Sequence, residues 1–233
     1  MRKTSIVAAA FVLLILSGSV FAQDEWEGRD ILEVSLYGGY AIPSGGISSW
    51  TTGQYFGESV ERKAKNGFDL GLDIGYYLTP RVNLGINFIY TQFDADVPTG
   101  IVIPESLDKH RHRLYNPNLY LKYAFEGESN FVPYLKVSAG VDNPKFSTWV
   151  QDQNDMTRKF RELSYDPALA FGAAAGLFYY TADFSGIFVE GGYHMGLTKD
   201  VKATYQGEEY TFGEDVGVIW INVGIKLIVG SGS

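Results

Sequence analysis

The chain has 233 residues, of which 45% are hydrophobic and 15% aromatic, and its formal net charge is -8. This apolar content is sufficient for a folded core and argues against disorder, while the acidic balance argues against a nucleic-acid partner. The absence of cysteine excludes disulfide bridges and thiolate metal sites.

The first 22 residues have the three parts of a secretory signal peptide. Arg2 and Lys3 precede an apolar run at 6–16, and small residues follow as far as Ala22. The apolar run is shorter than the roughly 20 residues that a membrane-spanning helix needs. We therefore predict export, cleavage after Ala22, and a single mature domain over residues 23–233.

The mature chain contains eight segments, within about 31–229, in which apolar residues alternate with small or polar ones. This period of two is that of a β-strand, and the segments approach the roughly 9–11 residues that a tilted membrane strand requires. In chain order, the first apolar positions of the segments are Leu32, Phe68, Val82, Leu119, Leu135, Leu169, Ile187 and Ile219.

The connections between these segments are alternately long and short. Long polar stretches lie at about 43–67, 94–112, 143–165 and 198–215, and the connections between them are short turns. This pattern predicts an all-β fold: an eight-stranded antiparallel transmembrane β-barrel with short periplasmic turns and long extracellular loops. Pro117 lies within the fourth segment, where it removes a ladder donor, so we expect a bulge or a late strand start there.

The alternation fits either a soluble barrel with apolar residues inside or a membrane barrel with apolar residues outside. The non-apolar positions combine glycines with a few charges, which suits the narrow interior of an eight-stranded barrel if the charges are paired. The opposite positions then form a band of Leu, Ile, Val and aromatic residues that suits lipid rather than water. The predicted interior charge network consists of Glu33, Asp69, Asp73, Lys122, Lys136, Glu190, His194 and Lys226, with the lysines neutralising the carboxylates.

The chain resembles the small outer-membrane β-barrel proteins in four features, which are its signal peptide, its eight alternating segments, and the runs at 116–125 and 224–229. This family includes the OmpA membrane domain, OmpW and OmpX, and the resemblance covers about 31–229. It implies an integral location in the bacterial outer membrane, contact with outer-membrane lipids and lipopolysaccharide, and insertion by the outer-membrane insertion machinery.

Three functions stay open at this level. The first is a non-enzymatic barrel, structural or engaged in binding or adhesion to an extracellular ligand through its loops. The second, implied by the OmpW resemblance, is a narrow porin or a passage for small hydrophobic solutes. The first function is supported by aromatic residues in the loops that are suited to binding, namely Trp50, Tyr55, Phe56, Trp149 and Tyr205.

The third function is a lipid A-modifying enzyme. His194 and Glu190 share the inward parity of the seventh segment and form a candidate base and carboxylate, with Ser138 or Ser185 as a candidate nucleophile. No local pattern supplies an oxyanion donor for them. We therefore predict the first function, with no catalytic residue, no bound metal and no cofactor.

The densest local cluster of charge and imidazole is His110, Arg111, His112 and Arg113. Its alternate histidines share one strand face, but two imidazoles without a nearby carboxylate make a poor metal site. We predict a solvated basic mouth at the outer end of the fourth strand, able to attract anionic lipopolysaccharide or another anionic ligand.

Overall fold

The computed structural model describes residues 31–46, 50–55, 58–62, 64–95, 109–125, 130–151, 157–182, 184–205, 208–211 and 215–230. The predicted signal peptide and its cleavage site lie outside these residues. None of the described residues belongs to a helix long and apolar enough to cross a membrane. The described strands, in chain order, are β1 Ile31–Gly45, β2 Trp50–Tyr55, β3 Glu58–Arg62, β4 Gly67–Tyr77, β5 Val82–Ala95, β6 Lys109–Ala124, β7 Phe131–Gln151, β8 Thr157–Ser164, β9 Ala168–Ala182, β10 Ser185–Gly196, β11 Lys202–Tyr205, β12 Glu208–Thr211 and β13 Val216–Gly230.

Eight of these strands form one closed antiparallel barrel. Hydrogen-bonded neighbours follow the order β6-β5-β4-β1-β13-β10-β9-β7, and the pairing of β6 with β7 closes the ring. The first and last strands pair along their whole length, from Ile31↔Gly230 to Gly45↔Val216. Closure leaves no barrel strand with an open edge, as a hydrocarbon environment requires. The predicted eight-stranded antiparallel transmembrane barrel is confirmed.

Four hairpins project from one end of the barrel, which we call the hairpin end; the opposite end is the short-turn end. β5 and β6 stay paired as far as Ala95 and His110, and β7 continues beyond the barrel to pair with β8. β2 with β3, and β11 with β12, form two further hairpins. The predicted loops at 94–112 and 143–165 were therefore too long. Strands that leave the membrane need no lipid-facing apolar side, so their alternation fades from the sequence.

Pro117 neither delays β6 nor bends it with a bulge, so both expectations for this residue were wrong. β6 begins at Lys109, and it pairs with β7 in one register on both sides of the proline. The side chain of Asn116 compensates for the missing donor, because its Nδ2 donates to the carbonyl oxygen of Val141 at 3.1 Å. The ladder is thus repaired by a neighbouring side chain.

The outward face of the barrel is a continuous apolar band. It covers 82–90 on β5, 115–123 on β6 and 219–229 on β13, which matches the roughly 9–11 residues of a tilted membrane strand. Large side chains on this face are widely exposed; Leu119 and Val223 each have a 63% exposed fraction. Such a surface suits lipid and not water.

Aromatic side chains border the apolar band at both ends, as they do at membrane interfaces. Tyr180, next to Tyr179 at the end of β9, instead faces inward and packs against Phe178 at a centroid distance of 4.5 Å. The bordering residues include Tyr40, Phe68, Tyr90 and Tyr115 at the hairpin end, and Tyr76, Tyr123, Phe125, Phe131 and Tyr179 at the short-turn end.

Candidate functional site

The structure places all eight side chains of the predicted interior charge network inside the barrel, where they are buried. The cause is local, because successive side chains of a strand point to opposite faces. One set of alternate positions carries the apolar residues and faces lipid, and the other set carries the charges and faces the interior. Several ion pairs join strands that are not neighbours in the sheet, and these pairs therefore cross the lumen.

Glu33 of β1 organises the part of the network nearest the short-turn end. Its carboxylate forms ion pairs with Lys122 of β6 and with Lys226 of β13, the second at 3.4 Å. The hydroxyl of Tyr77 donates to Oε2 at 2.6 Å and that of Ser35 to Oε1 at 3.3 Å. A single carboxylate thus serves two buried ammonium groups and two hydroxyls, which is what keeps those charges tolerable without water.

Lys136 of β7 holds the second part of the network. Its Nζ lies 2.6 Å from Oε1 of Glu190 and 3.2 Å from Oδ2 of Asp73, and Tyr37 donates to Oδ1 of Asp73 at 3.0 Å. Lys136 and Lys122 are directly opposite in the β6–β7 register, where like charges repel. Because Lys122 pairs with Glu33 and Lys136 pairs with Asp73 and Glu190, each lysine has its own carboxylates and the repulsion is offset.

Asp69 differs from the expectation that the lysines neutralise it. Its Oδ2 instead accepts a hydrogen bond of 2.9 Å from Nδ2 of Asn222, on the inward face of β13. Among the described residues, the ion pairs of the three interior lysines involve Glu33, Asp73 and Glu190 only. The network is therefore part ionic and part amide.

His194 does not pair with Glu190, so that part of the enzyme alternative is corrected. The two residues are four apart on β10, which separates them by about 13 Å along the strand. His194 instead contacts Asp142 of β7, with Nε2 at 2.8 Å from Oδ2 and 2.9 Å from Oδ1. Asn116 donates to the same carboxylate at 2.6 Å.

Sequence reasoning missed Asp142 and Asn116, which complete this polar cluster. Asp142 immediately precedes the stretch at about 143–165 that the sequence predicted to be a loop. The alternation along β7 could have revealed Asp142, because every second residue of a strand faces the same side and Asp142 falls on the same side as Lys136 and Ser138.

Replacing Asn116 with alanine is expected to lower the free energy of unfolding by about 1–3 kcal/mol, because buried acceptors on Val141 and Asp142 lose their donor. The matched control is Asn143→Ala. Asn143 donates to the carbonyl oxygen of Tyr115 from an exposed position on the same strand pair, where water replaces the lost bond. Urea titrations of both variants in lipid vesicles compare them, and equal losses would contradict the assigned role.

An apolar layer packs inside the lumen toward the hairpin end. Residues from the connecting segments, including Ala64, Tyr165 and Val201, pack against it. Beside the layer, two cavities lined by His194 and Trp220 each have room for about one water molecule. The layer consists of Ala41, Phe93, Leu114, Val216, Val218 and Trp220, all buried.

Two of the external hairpins share a small core of their own. Phe146 of β7, Leu163 of β8 and Ala203 of β11 are buried together, with Tyr165 against them. The backbone N–H of Asp166 also donates to the carbonyl oxygen of Lys202 at 2.8 Å. The β7–β8 and β11–β12 hairpins therefore form one packed unit outside the apolar band. The side chains of the five loop aromatic residues singled out in the sequence lie outside the described residues.

The cluster from His110 to Arg113 does not form a single solvated mouth, because it lies within β6 and its side chains alternate between faces. His112 points inward and packs on Phe146 at a centroid distance of 4.8 Å, while Arg111 and Arg113 have the outward parity of Tyr115. The side chain of His110 lies outside the described residues. In the described part of the chain, no three His, Cys, Asp or Glu side chains are grouped to hold a metal ion.

Comparison with solved structures agrees with this architecture. The outer-membrane protein AlkL, solved in lipid bilayers, aligns with 91% of this chain and 95% of its own at a TM-score of 0.54 and 14% identity. OprG from Pseudomonas aeruginosa aligns over 87% of this chain and 98% of its own, at a TM-score of 0.50 and 16% identity. The chain has the fold of the small outer-membrane β-barrel proteins. No family model and no curated protein sequence matches it.

At 14–16% identity, these alignments show the fold alone. One fold can carry many functions, so what this barrel does must be inferred from its own interior and its own surface.

Proposed function

We propose that this chain is a non-enzymatic, integral protein of the bacterial outer membrane that conducts no solute through its lumen and binds an extracellular partner through its hairpins. The main support is the double closure of the lumen. Ion pairs of Lys122 and Lys136 cross it near the short-turn end, and the apolar layer around Trp220 fills it at the hairpin end. In this proposal residues 1–22 are removed on export.

The hairpin end supports the binding role. The β7–β8 and β11–β12 hairpins stand beyond the apolar band and pack on a shared core of Phe146, Leu163 and Ala203. A surface that is ordered before it meets a partner loses less conformational entropy on binding. Two hairpins packed on each other and held by a membrane anchor are therefore suited to adhesion or to ligand capture.

The environment of His194 and Asp142 argues against catalysis there. Both side chains are buried in the lumen, beside the apolar layer, and the adjoining cavities admit about one water molecule each. A lipid or peptide substrate has no room to reach the imidazole. We infer that the pair is a structural cross-link between β7 and β10.

The refolded, full-length mature protein is expected to leave a planar bilayer electrically silent at neutral pH. The physical reason is that an ion path would require both the charge network and the apolar layer to open together. Discrete, reproducible channel openings would overturn the proposal and favour the narrow-porin alternative.

A silent bilayer is informative only if the protein is folded and inserted. Heat-modifiable migration on SDS gels and co-flotation with liposomes establish both on the same preparation. A protein that stays monodisperse without detergent would contradict the membrane location itself, separately from the question of conduction.

A further inference from the structure

Three basic side chains lie on the outward face of the barrel just beyond the apolar band. Arg111 and Arg113 are on β6 and Lys145 is on β7, and the register places Arg113 directly opposite Lys145. The band ends one outward position below, at Tyr115, whose ring centroid is 5.2 Å from Nζ of Lys145. The basic group therefore lies at the level where the apolar surface gives way to water.

This concentration of positive charge is unusual for a chain with a net charge of -8. Like charges directly opposite each other destabilise a sheet. Asp94 of β5 compensates Arg111, at 3.3 Å, but no carboxylate in the described part of the chain forms an ion pair with Arg113 or Lys145. The Nε of Arg113 is also buried without a described acceptor.

We propose that Arg113 and Lys145, with Arg111 beside them, bind the phosphate group of a lipid in the outer leaflet. A guanidinium offers paired donors that match phosphate oxygens, and an ammonium adds a point charge. The acyl chains of such a lipid would lie along the apolar band, over the Tyr90 and Tyr115 rings, which pack at a centroid distance of 5.3 Å. A free phosphate ion would use the cations alone.

This site rests on the outer-membrane location proposed above but not on the closed lumen. The proposed site differs from the predicted basic patch in two residues. His112 does not belong to the site because its side chain points inward, and Lys145 does belong to it because the sheet places Lys145 opposite Arg113. Sequence spacing could not reveal Lys145, which is 32 residues away from Arg113 along the chain.

The test titrates the refolded full chain in detergent with bisphosphorylated lipid A and with its dephosphorylated form, and counts bound lipid by native mass spectrometry. The variant R113Q/K145Q is expected to bind bisphosphorylated lipid A at least about tenfold more weakly, which is about 1.4 kcal/mol. The matched control K199Q/K202Q removes two exposed lysines that follow β10 at the same end of the barrel, and is expected to stay within about twofold of the parent.

Equal binding by the parent and R113Q/K145Q, or equal binding of the dephosphorylated lipid, would overturn the proposal. Competition by inorganic phosphate at millimolar concentration would assign the site to a free anion and would also overturn the lipid source. Should the double variant fold poorly, Lys145→Gln alone is expected to weaken binding about threefold. Heat-modifiable migration of the parent reports separately on the membrane barrel, so the two proposals fail by different readouts.

Discussion

Replacing Glu33 with glutamine is expected to lower the free energy of unfolding by about 3–5 kcal/mol, because the change leaves two buried ammonium groups without their shared carboxylate. Lys122 and Lys226 both form ion pairs with Glu33, and the hydroxyl of Tyr77 loses a charged acceptor. Glutamine has nearly the same size, so the loss reports electrostatics rather than packing. Urea titration in lipid vesicles measures it.

The matched control for Glu33 is Asp94→Asn. Asp94 also pairs with a basic side chain, but the pair is exposed, with 63% of the Asp94 side chain and 32% of the Arg111 side chain accessible. Water already solvates both charges, so the expected change is below about 1 kcal/mol. Similar losses for the two variants would show that burial of the Glu33 network contributes nothing.

Replacing Gly192 with alanine is expected to cost about 1–3 kcal/mol through overpacking. A Cβ at this position would lie 2.6 Å from Cζ2 of Trp220 and 2.6 Å from the carbonyl oxygen of Ala173. Trp220 belongs to the apolar layer, and Ala173 belongs to the neighbouring strand, so neither can yield without disturbing the closed lumen. The same urea titration reports the change.

The neighbouring residue provides the control. Gly191 faces lipid, and a Cβ there would meet nothing closer than the carbonyl oxygen of Trp220 at 3.6 Å. Gly191→Ala is therefore expected to be neutral, or to stabilise slightly by restricting the unfolded chain. A larger loss at Gly191 than at Gly192 would reverse the assignment of the two faces of β10.

Strand number, barrel closure and the two faces could be predicted from the sequence because they follow from a period-two pattern along each strand. The same pattern put all eight charges of the predicted network on one set of alternate positions, and these side chains are buried in the structure. It failed where strands leave the membrane, because the loops predicted at about 94–112 and 143–165 are partly strand. Pro117, in mid-strand, was also misjudged, because pairing with the neighbouring strands carries β6 through a residue that locally favours a break.

The partners of the interior side chains could not be predicted. The alternation along a strand shows which face of the barrel a side chain is on, but not its height along the barrel axis or which residue of another strand lies opposite. His194 was matched to Glu190 on its own strand, whereas the barrel brings it to Asp142 of β7. Arg113 likewise meets Lys145 only because β6 and β7 pair in one particular register.

The sequence by itself determined that this chain forms a small barrel with a lipid-compatible outside and a charged inside, because alternation is a property of each strand alone. Only the tertiary structure decided which side chains meet inside the barrel. It brings together side chains from opposite walls, such as Glu33 and Lys122, and packs Ala64 and Tyr165 of the connecting segments against the apolar layer. Those contacts are set by the register and stagger of strands far apart in the chain, which no single segment encodes.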